Sequence, residues 1–178
     1  MNHRPLRTHA LAAAAIVGAA YAVLTMALAP ISYGAIQLRI SEVLCILPYF
    51  MPCTAWGLVI GCAAANLLTG NVFDIIFGSL ATLAAALITA ALGKRPHTLA
   101  NSALACLMPV AFNAIVVGAV ITCAYEGLGL FEHPGVFGLN ALYVGLGEAI
   151  VLYVLGLPLM RCLPGRKFFR EFMEKVNL

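Results

Sequence analysis

"ISEVLCILPYFMPCTAWGLVIGCAAANLLT", residues 40–69, decides how many times this chain can cross a bilayer. One helical span needs about 20 apolar residues to cross about 30 Å of hydrocarbon. The stretch is too long for one ordinary span and a little short for two. Pro48 and Pro52 interrupt it, and proline ends or kinks a helix. A break near Pro52 gives two short spans, 40–51 and 55–69.

Working outward, the runs 10–29, 72–92, 101–125 and 139–160 are each long and apolar enough to span. Charge sets the count. Cytoplasmic flanks are rich in Lys and Arg. With six crossings and both termini inside, Arg4, Arg7, Lys94, Arg95, Arg161, Arg166, Lys167, Arg170 and Lys175 are all cytoplasmic. Arg39 alone is left outside. Five crossings would put a basic cluster on the wrong side. The expected fold is an all-α, six-span membrane protein forming one domain over 1–178, with a cytoplasmic basic tail at 161–178.

Composition agrees. The 178 residues are 63% hydrophobic and 10% charged, against about a quarter charged in soluble domains. Mean hydropathy is +1.00. The net charge of +3 is no sign of nucleic-acid binding, because the basic residues flank spans. The run 10–29 exceeds the ~7–15 residues of a signal-peptide core. With Pro30 after the apparent cleavage point, it reads as a retained first span.

Several chemistries are absent from the sequence. No P-loop, H-E-x-x-H or G-x-S-x-G motif occurs. The cysteines at 45, 53, 62, 106, 123 and 162 lie singly, with no C-x-x-C pair to suggest a metal. Neither a metal nor a cofactor is expected in this chain, and no enzymatic activity.

What remains is a set of polar residues converging on the outward half. Gln37, Arg39 and Glu42 crowd the start of the second span. Arg39 and Glu42, three apart, can pair with each other on a helix or serve a ligand. Asn66, Asn113 and Asn140 join them, with Asp74 near the outer end of its helix and Glu126 and Glu132 in the outer loop. Glu148 lies deepest, about 14 Å into the last span by helical rise. An intramembrane carboxylate is costly and marks a functional site by default, although a helix-tying role competes. Tyr33 and Tyr143 offer aromatic faces, while Trp56 reads as part of the interfacial belt. Small residues at Ala10, Ala14, Gly18 and Ala22, flanked by Ala15 and Ala19, form a stripe along the first span. Such a stripe lets another helix approach closely, and it is read as docking to a partner protein rather than as internal packing. Gly57, Gly61 and Ala65 repeat it on the third.

The segments "ALAPISYGAIQLRISEVLCILPYF", "GCAAANLLTGNVFDIIFGSLATLAAALIT", "PVAFNAIVVG" and "NALYVGLGEAIVLYVLGLPL" resemble the queuosine-precursor transporter family, QueT. The likeness runs from about residue 10 to residue 160. It implies an S component of an energy-coupling factor importer, which captures a 7-deazaguanine compound outside. Its partners would be a transmembrane T component and two ATPase subunits that use the ATP. It also implies a lid in the loop Pro30–Arg39 and partner docking through the first helix. The ligand contacts then follow chemically. Glu148 or Glu42 would accept the paired N–H donors of the base. Asn66, Asn113, Asn140, Gln37 or Arg39 would donate to its carbonyl edge, and Tyr33 or Tyr143 would stack. Asp74 would meet any aminomethyl cation. An S component for another small vitamin, and a stand-alone proton-coupled transporter using Glu148, remain open readings.

Overall fold

The computed structural model describes residues 5–33 and 36–177. Arg4, and Gly34 and Ala35 within the loop read as a lid, lie outside the described residues. The first helix, α1 (Pro5–Ala27), leads into a single turn, α2 (Ala29–Ser32). A 3₁₀ helix follows at Ile40–Tyr49, then α3 (Thr54–Asn66). Next come α4 (Ser79–Leu92), α5 (Leu99–Val120), α6 (Pro134–Ala149), α7 (Leu157–Cys162) and α8 (Lys167–Asn177). Wider π-type turns extend three of them, at Asp74–Gly78 ahead of α4, Ile121–Tyr125 after α5 and Ile150–Gly156 after α6. No strand is found among the described residues.

Four continuous helical stretches are long and apolar enough to cross a membrane: Thr8–Ala27, Asp74–Leu92, Leu99–Tyr125 and Pro134–Gly165. The stretch that decides the span count forms two shorter apolar helices, Ile40–Tyr49 and Thr54–Thr69. The first is a 3₁₀ helix, not the short α-helix expected. The tighter winding lengthens it: at ~2.0 Å rise its 10 residues reach ~20 Å, against ~15 Å as an α-helix.

This 3₁₀ helix is the centre of the bundle. It touches α1, α3, α4, α5 and the π turns after α6, while α1 packs on α3, α3 on α4, α4 on α5 and α5 on α6. Three residues per turn stack Arg39, Glu42, Cys45 and Pro48 in one column and Ile46 and Tyr49 in the next. All six are buried. Around them the spans turn Ile16, Val23, Ile60, Leu80, Ile115 and Val154 outward, as lipid-facing surfaces require.

The stripe on α1 faces inward. A Cβ on Gly57 or Gly61 would strike the carbonyl oxygens of Ala14 and Gly18, and one on Gly18 would lie 2.5 Å from the Gly57 oxygen. The two small-residue stripes seat α1 against α3 with backbones in contact. The docking reading of the stripe is therefore corrected for Ala14 and Gly18, which are buried inside the protein; Ala10 and Ala22 are half-buried. Ala15 and Ala19 stay exposed, beside Ala12 and Ile16.

Proline in α5 shows how an apolar bundle satisfies its backbone. Pro109 lacks the N–H that would bond the Ala105 carbonyl. Thr89 on α4 donates its hydroxyl to that oxygen at 3.3 Å. At the basic end, the tail residues are helical rather than loose. Phe169 of α8 is buried with its edge on Phe50, ring centres 5.4 Å apart, and Asn177 donates to the Phe50 carbonyl at 2.8 Å.

Candidate functional site

A cavity of about 660 Å³ opens at the end of the bundle opposite the Lys and Arg clusters. Tyr33 and Gln37 approach from the loop after α2, and Asp74 from the π turns ahead of α4. Tyr125 and Glu126 come from the end of α5, Asn140 and Tyr143 from α6. Two of the three π stretches thus end at this cavity. Such turns insert a residue into a helix and re-aim its side chains, often at functional sites.

The wall is partly fixed by its own hydrogen bonds. Tyr33 donates its phenol to the Ala65 carbonyl on α3 at 2.7 Å, which pins the loop. Asn140 donates to Thr122 Oγ1 at 3.1 Å and to Glu126 Oε2 at 3.0 Å. Glu126, at the start of the outer loop, therefore also lines the cavity wall. Tyr125 reaches Asp74 Oδ2 at 3.5 Å.

Beneath the cavity lies a buried polar layer holding the other five sequence candidates: Arg39, Glu42, Asn66, Asn113 and Glu148. Glu42, at the start of the second span, is fully buried. It accepts from the Tyr21 hydroxyl through Oε1 and from Cys45 Sγ through Oε2, the latter at 2.9 Å. Arg39 is not its partner. Among the described residues the ion pair within 4 Å is Lys167–Glu171, at 3.8 Å. The Arg39 guanidinium instead stands over the Tyr33 ring, 5.4 Å from its centre, a cation–π contact. Beside it, Asn113 donates to Glu148 Oε1 at 2.8 Å, and Asn66 donates to the Asp74 backbone oxygen at 3.1 Å.

Among the described residues, five atoms of this layer find no hydrogen-bond partner: Arg39 Nε and Nη2, Asn66 Oδ1, Asn113 Oδ1 and Glu148 Oε2. Buried polar groups are nearly always bonded, and each orphan costs about 1–3 kcal/mol. Gathered around one guanidinium and one carboxylate, they can donate to an acceptor and accept from N–H groups. Over this layer lies the loop backbone. A Cβ on Gly147 would strike the Gln37 carbonyl, so the strand of chain leading to Arg39 rests on α6 one residue before Glu148.

No group of three or more His, Cys, Asp or Glu side chains suited to a metal occurs among the described residues. The arrangement is one for binding. A family model described as QueT transporter matches residues 11–164. The chain belongs to the QueT transporter family. That family is one of transporters, not enzymes. A curated relative, the queuosine precursor transporter QueT of Lactococcus lactis subsp. cremoris (strain MG1363), is 40% identical over 79 residues. The matched part is 43% of this chain and 47% of that protein, so less than half of the relative's length is spanned. No solved structure matches the chain.

Sequence reasoning missed Tyr21, Thr25 and Tyr125. Tyr21 and Thr25 lie one turn apart on α1; Thr25 shares a hydrogen bond with Ser41 at 2.6 Å, and Tyr21 holds Glu42. The available signal was two polar side chains four residues apart inside an apolar run. Tyr125 was counted only as the end of a span.

Proposed function

We propose that this chain is the substrate-capture subunit of an energy-coupling factor importer, taking a 7-deazaguanine queuosine precursor from outside and delivering it inward. The observation that carries this reading is the layer of unpartnered buried donors and acceptors beneath an aromatic-walled cavity. A guanine-like base presents a ring N–H and an amino group side by side, which Glu148 Oε2 and Asn113 Oδ1 can accept. Arg39 can donate to its carbonyl, and Tyr33 or Tyr143 can cover its face. The chain has no P-loop, so ATP would be used by two partner ATPase subunits acting through a T component. Ala15 and Ala19, exposed on α1, are the small residues left for that partner.

The test is a thermal-shift panel on purified protein with the cyano, aminomethyl and queuine forms, and riboflavin, thiamine and biotin as controls. Only the deazaguanine forms are expected to raise the melting midpoint. Stabilisation by a control vitamin alone would overturn the substrate class. A second reading, a stand-alone proton-coupled carrier, is favoured by one observation: two carboxylates, Glu42 and Glu148, are buried in one layer. Co-purification with a T component and ATPases is expected, and uptake without them would favour the carrier.

The same reading sets the topology at six crossings in the cell membrane with both termini cytoplasmic. Reporter fusions at residues 2 and 178 are expected to signal from the cytoplasm, and an insertion near Gly135 from outside. An external signal from residue 178 would sink the count.

A further inference from the structure

We propose that α8, at the foot of the last span, is a seat for anionic lipid. Phe168 reaches the acyl boundary there, and Arg166 and Lys175 meet the headgroup phosphates.

Residues 166–177 read RKFFREFMEKVN. Phe169, Phe172, Met173 and Val176 recur at the spacing of one helical face. That face packs under the bundle: Phe169 and Val176 are buried in the core cluster that holds Ala13, Tyr49 and Phe50, with Phe172 and Met173 half-buried against it. Asn177 pins the far end through the Phe50 carbonyl. α8 is thus laid against the end of the bundle, in contact with α1. Phe168 is left out of the packed face. Its ring is 81% exposed and stacks on the edge residue Phe172, centres 6.4 Å apart. Lys175, seven residues on, shares its flank of the helix.

The position of this ring favours lipid. The last apolar span ends at Gly165, and three residues of chain reach at most about 11 Å, so Phe168 stays at the level of the headgroups. Val154, Leu155 and Leu159 are exposed on the span itself, and Arg161, Arg166 and Phe168 continue that exposed surface. Charge agrees. α8 and its approach carry Arg161, Arg166, Lys167, Arg170 and Lys175 against Glu171 and Glu174. Among the described residues, Lys167 alone has an acid within 4 Å, Glu171 at 3.8 Å. Arg161 donates to the His97 carbonyl at 3.2 Å. Arg166 and Lys175 have no such partner among the described residues, and both are exposed.

The bias of cations toward one side of a membrane accounts for the number of basic residues here. It does not account for an open aromatic ring among them. The acidic surface of a partner protein would answer the charges but would have to reach the ring beside the bilayer. Anionic lipid answers both, with acyl chain for the ring and phosphate for the cations.

The test reconstitutes the full chain carrying Phe168→Trp in vesicles of equal parts phosphatidylcholine and phosphatidylglycerol. Bromine is placed on the acyl chains of one lipid or the other. The native chain supplies the Trp56 signal for subtraction. The added indole is expected to be quenched by both lipids, and at least about twofold more by brominated phosphatidylglycerol, within the roughly fivefold that each basic residue near an anionic surface contributes. Arg166→Gln with Lys175→Gln is expected to bring the two lipids to parity. Absence of quenching overturns the proposal and leaves the patch to an acidic protein surface. Equal quenching by the two lipids overturns it as well, and so does a preference that survives both substitutions. Should that variant not purify folded, salt at about 1 M, where screening acts within about 3 Å, decides in its place: a preference that persists there overturns the proposal.

Discussion

Gly57→Ala is expected to lower the melting midpoint of the purified chain by about 4–8 °C, although alanine is the better helix former. Two effects oppose each other. Replacing glycine in a helix gains up to about 1 kcal/mol in propensity. Against it, the new methyl group would strike the Ala14 carbonyl oxygen, a backbone atom that cannot rotate away. Overpacking of this kind costs about 1–3 kcal/mol, and here the only relief is separation of α1 from α3. Separation has further consequences. Tyr21 holds Glu42 from α1, and Tyr33 is anchored to Ala65 on α3, so the same seam supports the floor and the wall of the cavity. A net loss of about 2 kcal/mol corresponds to the stated shift for a chain of this size. Gly61→Ala, aimed at the Gly18 carbonyl, should behave alike. Ala15→Leu and Ala19→Leu, on the exposed side, should hold the midpoint within about 2 °C. Leucine there should instead weaken capture by a T component. An unshifted Gly57→Ala protein would mean that α1 and α3 are not in backbone contact.

The same seam shows what the sequence could and could not disclose. Periodicity reports that a helix has a small-residue face, because that is a property of one helix. It does not report what the face meets, which is a property of a pair. The complementary stripes at Ala14–Gly18 and Gly57–Gly61 were both visible, and matching them to each other would have found the packing. The helical class and the break at Pro52 were legible for a stronger reason. Hydrocarbon thickness and proline geometry act on each segment alone. The 3₁₀ winding was not legible from hydropathy, although Arg39, Glu42, Cys45 and Pro48 repeat at the interval of three that it requires. Spacing also made Arg39 and Glu42 neighbours without making them partners. Each found a different contact, Tyr33 above and Tyr21 with Cys45 beside, because those rings and donors arrive from other elements. The ten polar residues singled out for the site fall either on the cavity wall or in the layer below it. The Gln37 backbone crosses α6 at Gly147, one residue before Glu148.

Glu148→Gln is expected to weaken ligand binding about ten- to hundredfold while leaving the unliganded protein as stable as before or more so. The pairing of those outcomes separates recognition from structure. Glu148 Oε1 accepts from Asn113, and Oε2 finds no partner among the described residues. Glutamine can keep the Asn113 bond only by turning its own NH₂ toward the base, where a donor then faces donors. If both amides flip, one acceptor is restored but the charge is gone. Either way a charge-assisted contact is lost, typically about 1.5–3 kcal/mol. Without ligand the balance reverses, because a neutral amide is cheaper to keep in this buried position than a carboxylate. Glu42 should give the opposite pattern. Its two oxygens already accept from Tyr21 and Cys45, so Glu42→Gln replaces one of these acceptors with an NH₂, obliges its partner to turn from donor to acceptor and lowers the melting midpoint. Titration calorimetry and thermal denaturation on the two variants read both quantities. Unaltered affinity in a folded Glu148→Gln protein would make Glu148 a helix tie through Asn113. Recognition would then pass to the acids of the cavity wall, Asp74 and Glu126, since Glu42 is fully buried and does not line the cavity.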